Sequence, residues 1–182
     1  MAYRQLPTAS RRIGFEIQTP NEVEIQTGEV VKCRERRSDG QTIGELEVRV
    51  FHAALVIDRD GILEEKMQDA VNSNSEPGAH VLPPIPVAVA GASGYRADIE
   101  VTAPMGTARP LLPYVYVLAI APNDLALDGG LLVTVRCASP EWPAADKILR
   151  SLKILSRGGV AAKNDATDTA PPMLPLLGRR DD

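Results

Sequence analysis

Ile43-Gly44-Glu45-Leu46-Glu47-Val48-Arg49-Val50 is the stretch on which the fold turns. Its apolar residues Ile43, Leu46, Val48 and Val50 alternate with Glu45, Glu47 and Arg49. That two-residue period belongs to a strand that buries one face and wets the other. Just before it, Ser38-Asp39-Gly40 signals a turn, because Asp bonds its own backbone and Gly accepts positive φ. Val30 to Arg36 precedes the turn as a further strand, in which Lys32, Arg34, Arg36 and Arg37 mix with Glu35 as a solvated face. Strands with one wet face, joined by tight turns, predict an antiparallel meander. Towards the N-terminus, Val23 and Ile25 keep the alternation and Pro20-Asn21 breaks the chain. Arg12 to Thr19 sets Ile13, Phe15 and Ile17 against Gly14, Glu16 and Gln18.

After Val50 the period changes. Asp60 reads as an N-cap, with Glu64 and Glu65 at the positive end of a helix dipole. Ile62, Leu63, Met67, Ala70 and Val71 make one apolar stripe, and Asn72 to Ser75 with Pro77-Gly78 end the helix. The chain to Pro86 reads as loop, since Pro83, Pro84 and Pro86 do not fit a central strand. Strands resume at Val87 to Ala90 and Tyr95 to Thr102, around the turn Gly91-Ala92-Ser93-Gly94. Leu112 to Ala121 and Leu131 to Cys137 follow, joined through turn residues between Asn123 and Gly130. Tyr114 to Ile120 is apolar on both faces and so predicts a central strand. A second helix is expected from about Pro143 to Leu155, with Ala145, Ile148, Leu149, Leu152 and Leu155 as its packing stripe. The lone Trp142 would staple that helix to the sheet.

These readings predict a single α+β domain over residues 1–156, a mainly antiparallel sheet of roughly six or seven strands with both helices packed on one face. Residues 157–182 lose periodicity and read as a disordered tail. At 44% hydrophobic and 24% charged residues the chain can bury an ordinary core, and at 4% aromatic that core must rest on Val, Ile, Leu and Ala. The net charge of −4 argues against nucleic acid as a partner. No segment has the ~20 apolar residues of a membrane helix, and the first residues lack an apolar stretch of signal-peptide length, so a cytoplasmic location is expected. Cys33 and Cys137 are too few for a zinc site; a disulfide is open, and a reduced pair is the simpler reading.

Several motifs brush against chemistry. Val87 to Gly94 begins like a dinucleotide-binding turn, yet Tyr95 to Val101 alternates as a strand where a phosphate site needs a helix. Ser93 lacks the flanking glycines of a nucleophile elbow. Asp58-Arg59-Asp60-Gly61 starts like a calcium loop but lacks the later oxygen ligands. Glu45 and Glu47 share one strand face, which is also the pattern of ordinary surface charge. No catalytic residue, cofactor site or metal site is assigned on these grounds.

Three phrases resemble one fold family. Gly14-Phe15-Glu16-Ile17-Gln18-Thr19-Pro20, the strand–Gly–strand segment Val87 to Ala97, and Ala145 to Leu152 look like the opening strand, the mid-chain hairpin and the closing helix of PsbP-like α/β sandwiches. That family includes Ran-binding Mog proteins, mycobacterial LpqN-type proteins and Eag-type secretion chaperones. The resemblance implies a protein-binding role with no shared catalytic residues. The expected function is therefore a non-enzymatic module, adaptor or chaperone-like, in a bacterial cytoplasm and in a secretion context. Its partner would be another protein, met through Tyr114 and Tyr116 on the sheet or through Leu174, Leu176 and Leu177 in the tail. Two alternatives stand beside it: a structural subunit docking through that tail, and a small hydrolase using His52 or His80.

Overall fold

The computed structural model describes residues 2–5, 14–20, 23–26, 30–53, 55, 57–75, 77–89, 91–102, 112–123 and 129–155. The tail at 157–182, with Leu174, Leu176 and Leu177, lies outside the described residues, as do Arg12, Ile13, Gly28 and most of the expected turn between Asn123 and Gly130.

The alternating segments form an α+β fold with two antiparallel sheets. The larger holds β3 (Val23–Gln26), β4 (Val31–Arg36), β5 (Thr42–Phe51), β10 (Gly130–Cys137), β9 (Tyr114–Pro122), β8 (Ala92–Glu100) and β6 (His80–Val81) in that spatial order, with β7 (Ile85–Val89) also paired to β8. A smaller sheet places β2 (Gly14–Thr19) between β1 (Ala2–Gln5) and β11 (Lys153–Leu155). Helix α1 spans Arg59–Asn74 and α2 spans Pro143–Arg150.

The helices do not share a face, which corrects the expected arrangement. On β9, Tyr116, Leu118 and Ile120 join a core closed by Phe15 and Ile17 of β2, Ile154 of β11 and Trp142, Ala145, Ile148 and Leu149 of α2. Val115, Val117, Ala119 and Ala121 point the other way, into a second core closed by Leu63, Met67, Ala70 and Val71 of α1. The physical reason is β9 itself: both of its faces are apolar, so each needs a roof. Three layers result, with the large sheet in the middle. A buried Leu or Met such as Leu63 or Met67 contributes about 1.5–3 kcal/mol relative to exposure. Leu46, Val48 and Val115 to Ala121 are all buried, so neither face of β9 is left open.

Local chemistry sets the boundaries. Asp58, two residues before the expected cap, accepts from the Gly61 N–H at 3.0 Å and starts α1; the same bond explains the motif that began like a calcium loop. Helix α2 is shorter than predicted. Ser151 ends it and its hydroxyl accepts from the Gln18 N–H at 2.8 Å, so Leu152 and Ile154 point into the core from the chain that becomes β11. Gly91, with φ of 76°, turns β7 into β8, and Gly94 lies flat against β9, where a Cβ would sit 2.0 Å from the Ala119 carbonyl oxygen. The glycine-rich stretch is thus a hairpin with close backbone approach. Pro86 is tolerated because β7 is an edge strand. Helix and strand lengths are ordinary; among the described residues no helix is long and apolar enough to cross a membrane.

Candidate functional site

The face of the large sheet that carries α1 changes character from one edge to the other. On β8 and β9 it is Ala97, Ile99, Val115, Val117, Ala119 and Ala121, and α1 lies there. On β3, β4 and β5 the same face is charged. Cross-strand register sets Glu24 beside Arg34, Arg34 beside Glu45, Lys32 beside Glu47, and Glu45 beside Arg136 of β10. A helix with an apolar stripe gains nothing from sitting on charges, so α1 covers only the apolar half. Among the described residues no element covers the charged half.

The charges form a ladder across the strands. Arg34 Nη2 lies 2.8 Å from Glu45 Oε1, and Lys32 Nζ lies 3.0 Å from Glu47 Oε2. Arg49 Nη2 reaches the other oxygen of Glu47 at 3.0 Å, and Arg136 Nη1 stands 4.0 Å from Glu45. Arg36 meets Glu24 at 3.5 Å. Burial tends to raise the Glu47 carboxyl, but hydrogen bonds from Lys32 and Arg49 outweigh it and hold the group below its ordinary range. Each of the two β5 carboxylates therefore serves two cations. Among the described residues the half-face carries five cations, Lys32, Arg34, Arg36, Arg49 and Arg136, against three carboxylates, Glu24, Glu45 and Glu47, in a chain whose net charge is −4. These pairs are part-exposed, their side chains between 16% and 57% accessible, and pairs near the surface contribute about 0–1 kcal/mol each, so the ladder adds little to stability.

Where the charged half meets α1 there is a groove of about 470 Å³. Glu47, Arg49 and Phe51 of β5, Leu132, Thr134 and Arg136 of β10, and Lys66, Asp69, Ala70, Ser73 and Asn74 of α1 line it. Arg136 Nη2 donates to Asn74 Oδ1 at 2.6 Å and ties the helix C-terminus to the sheet at one end. At the far end of α1, Arg59 Nη2 donates to the carbonyls of Ser93 and Ala121 at 2.7 and 2.9 Å and to Ser93 Oγ at 2.9 Å. Both helix ends are thereby fixed, and the groove has a rigid wall.

A buried cluster on the opposite face contrasts with it. The Arg96 guanidinium donates through Nε and Nη2 to Asp98 Oδ1 at 3.0 and 2.7 Å and stacks over Tyr116, 4.4 Å from the ring centroid. Tyr116 is 2% exposed and its hydroxyl has no hydrogen-bond partner among the described residues. Burial drives its pKa far up, with Arg96 opposing, and pushes the Cys137 thiol up to about 12. Both groups are held neutral, the reverse of what an activated nucleophile needs.

The candidates read from sequence fall in separate places. Tyr116 belongs to the core rather than to a surface, while Tyr114, half-buried, starts β9. His52 follows the end of β5, and His80 opens β6 opposite Glu100, whose row runs through Tyr114 and Cys137 to Gly44 at the other end of β5. The two histidines are thus at opposite ends of the sheet, His80 on an edge strand and His52 after an interior one, more than about 25 Å apart by strand geometry. Cys33 and Cys137 are free, buried and separated by two strand spacings and two residues of register, about 12 Å and outside disulfide reach. Among the described residues no group of three or more His, Cys, Asp or Glu is arranged to hold a metal ion. The groove was not legible in the sequence, although Glu47 and Arg49, among the alternating charges at 45–49, line one side of it.

The chain has no significant match to any protein-family model, any curated protein or any solved structure.

Proposed function

We propose that this chain is a non-enzymatic protein-binding module, adaptor or chaperone-like, and that it works in a bacterial cytoplasm. One observation supports this reading above the others: the charged half of the α1 face is left open beside a groove with a rigid wall, although its ion pairs contribute little to folding. A surface that is organised but weakly stabilising is suited to recognition, where charge sets partner choice and encounter rate. The PsbP-like resemblance, with its protein-binding members, is part of the same proposal. The binding surface differs from the one expected from sequence: it is the ladder and groove, in place of Tyr116.

The test is capture from native lysate by the immobilised full chain, in wild-type form and as the Arg49→Glu/Arg136→Glu variant. A Lys147→Glu/Arg150→Glu variant, altered on the exposed side of α2, controls for net charge. The proposal expects a stoichiometric protein partner retained by the wild type and the control and lost from the groove variant. No stoichiometric partner, or one that the groove variant holds equally well, counts against it.

A further inference from the structure

We infer that the groove between α1 and strands β5 and β10 takes an extended, acidic protein segment whose carboxylates lie about four residues apart. The inference rests on the groove being the binding surface and names what binds there. The groove follows β10 from Leu132 to Arg136, a run of about 13 Å and so about four residues of extended chain. Its two ends are cationic. Arg49 stands opposite Leu132 at one end and Arg136 stands at the other beside Asn74, with Lys66 of α1 a third cation in the lining. Between them lie Thr134 and Ser73, which are uncharged, and Glu47 and Asp69, which already have cations beside them.

A segment with one carboxylate at each pole and neutral hydrogen-bonding residues between them satisfies this pattern. A polynucleotide does not, because its phosphates repeat at every nucleotide and would fall on Glu47 and Asp69. Arg49 is the most available cation, with 57% of its side chain exposed and Glu47, shared with Lys32, as its partner.

The ¹⁵N-labelled full chain can be titrated with the peptide Gly-Glu-Thr-Ala-Thr-Glu-Gly while amide chemical shifts are followed. The comparison probes are its adjacent-glutamate isomer, the peptide with both glutamates replaced by lysine, and an oligothymidylate. The expected result is shift changes confined to residues 47–51, 66–74 and 132–136, with the spaced acidic peptide binding tightest. Arg49→Glu should weaken it about tenfold, and Arg49→Glu/Arg136→Glu further. Since Arg136 also holds Asn74, the single Arg49→Glu variant decides the matter if the double variant loses its dispersed spectrum. Absence of shifts, equal binding of the lysine or adjacent-glutamate peptide, tighter binding of the oligothymidylate, or indifference to Arg49→Glu overturns the inference. If the peptide fails but a lysate partner is still lost from the Arg49→Glu/Arg136→Glu variant, the groove binds a protein of different chemistry. If the partner is retained, the groove is not the binding surface at all.

Discussion

Gly44→Ala would strike the contact that seats α2. Gly44 takes an inward place on β5, and the Trp142 indole lies directly over it: a Cβ there would be 2.2 Å from Trp142 Cε2. The indole N–H also donates to Glu35 Oε2. The new methyl group cannot share this space, so the ring must tilt outward. Overpacking of this kind costs about 1–3 kcal/mol, and loss of a hydrogen bond to a carboxylate costs about 1.5–3 kcal/mol. The lower entropy of an unfolded chain with Ala in place of Gly offsets about 0.5–1 kcal/mol. A net loss of about 2–4 kcal/mol is expected. Because Trp142 is the only tryptophan, its fluorescence reports the change without labelling. The variant should show a red-shifted native emission and a lower urea midpoint at unchanged m-value. An unshifted native spectrum with a stability loss under about 0.5 kcal/mol would refute the packing of Trp142 on Gly44.

Three further outcomes follow from the same structure. Arg59→Ala removes the donor that ties α1 to two part-buried strand carbonyls and should destabilise the chain by about 2–3 kcal/mol in urea titration; a loss typical of a surface residue would show that α1 is not anchored there. The Glu47 carboxyl has its pKa lowered below 4.5 in the folded state. Its pairing thus stabilises fully above that pH and is lost as pH falls through the folded value; Glu47→Gln should flatten the decline of stability below about pH 4.5, and an unchanged profile would contradict the pairing. Burial raises both Cys33 and Cys137 to about 12, so neither thiol should react with Ellman's reagent at pH 8 until denaturant is added; rapid labelling of the native protein would mean that one of them is reachable.

Much of the fold was legible in the sequence, and the errors have identifiable causes. Alternation at Phe15 to Ile17 and at Leu46 to Val50 gave the strands and their inward faces, because a period of two depends only on local geometry. The two-faced apolar run at Tyr114 to Ile120 correctly predicted a central strand, but its consequence, a roof on each side, was not drawn. The cap of α1 moved because Asp58 and Asp60 are both competent, and only the Gly61 N–H decides between them. The end of α2 moved because Leu152 fits a helical stripe and an alternating strand alike. The site was half legible. Charges at 32, 34, 36, 45, 47 and 49 announced a wet face. Cross-strand register brought Arg136 into it, and the apolar half of the sheet drew α1 away from it. Neither is written in any one segment.

The open half-face exists only if α1 and α2 lie on opposite sides of the large sheet, and a distance between the helices tests this most directly. Gln68 and Lys147 are exposed on α1 and α2 and can be replaced by spin-labelled cysteines, with Cys33 and Cys137 changed to Ala. With a sheet between the helices, each layer adds about 10 Å and the outward-facing labels add more, so a pulsed dipolar measurement should give a distance of about 30 Å or longer. Helices packed side by side on one face have axes about 8–10 Å apart. A label distance below about 20 Å would place both helices there and contradict the half-roofed sheet.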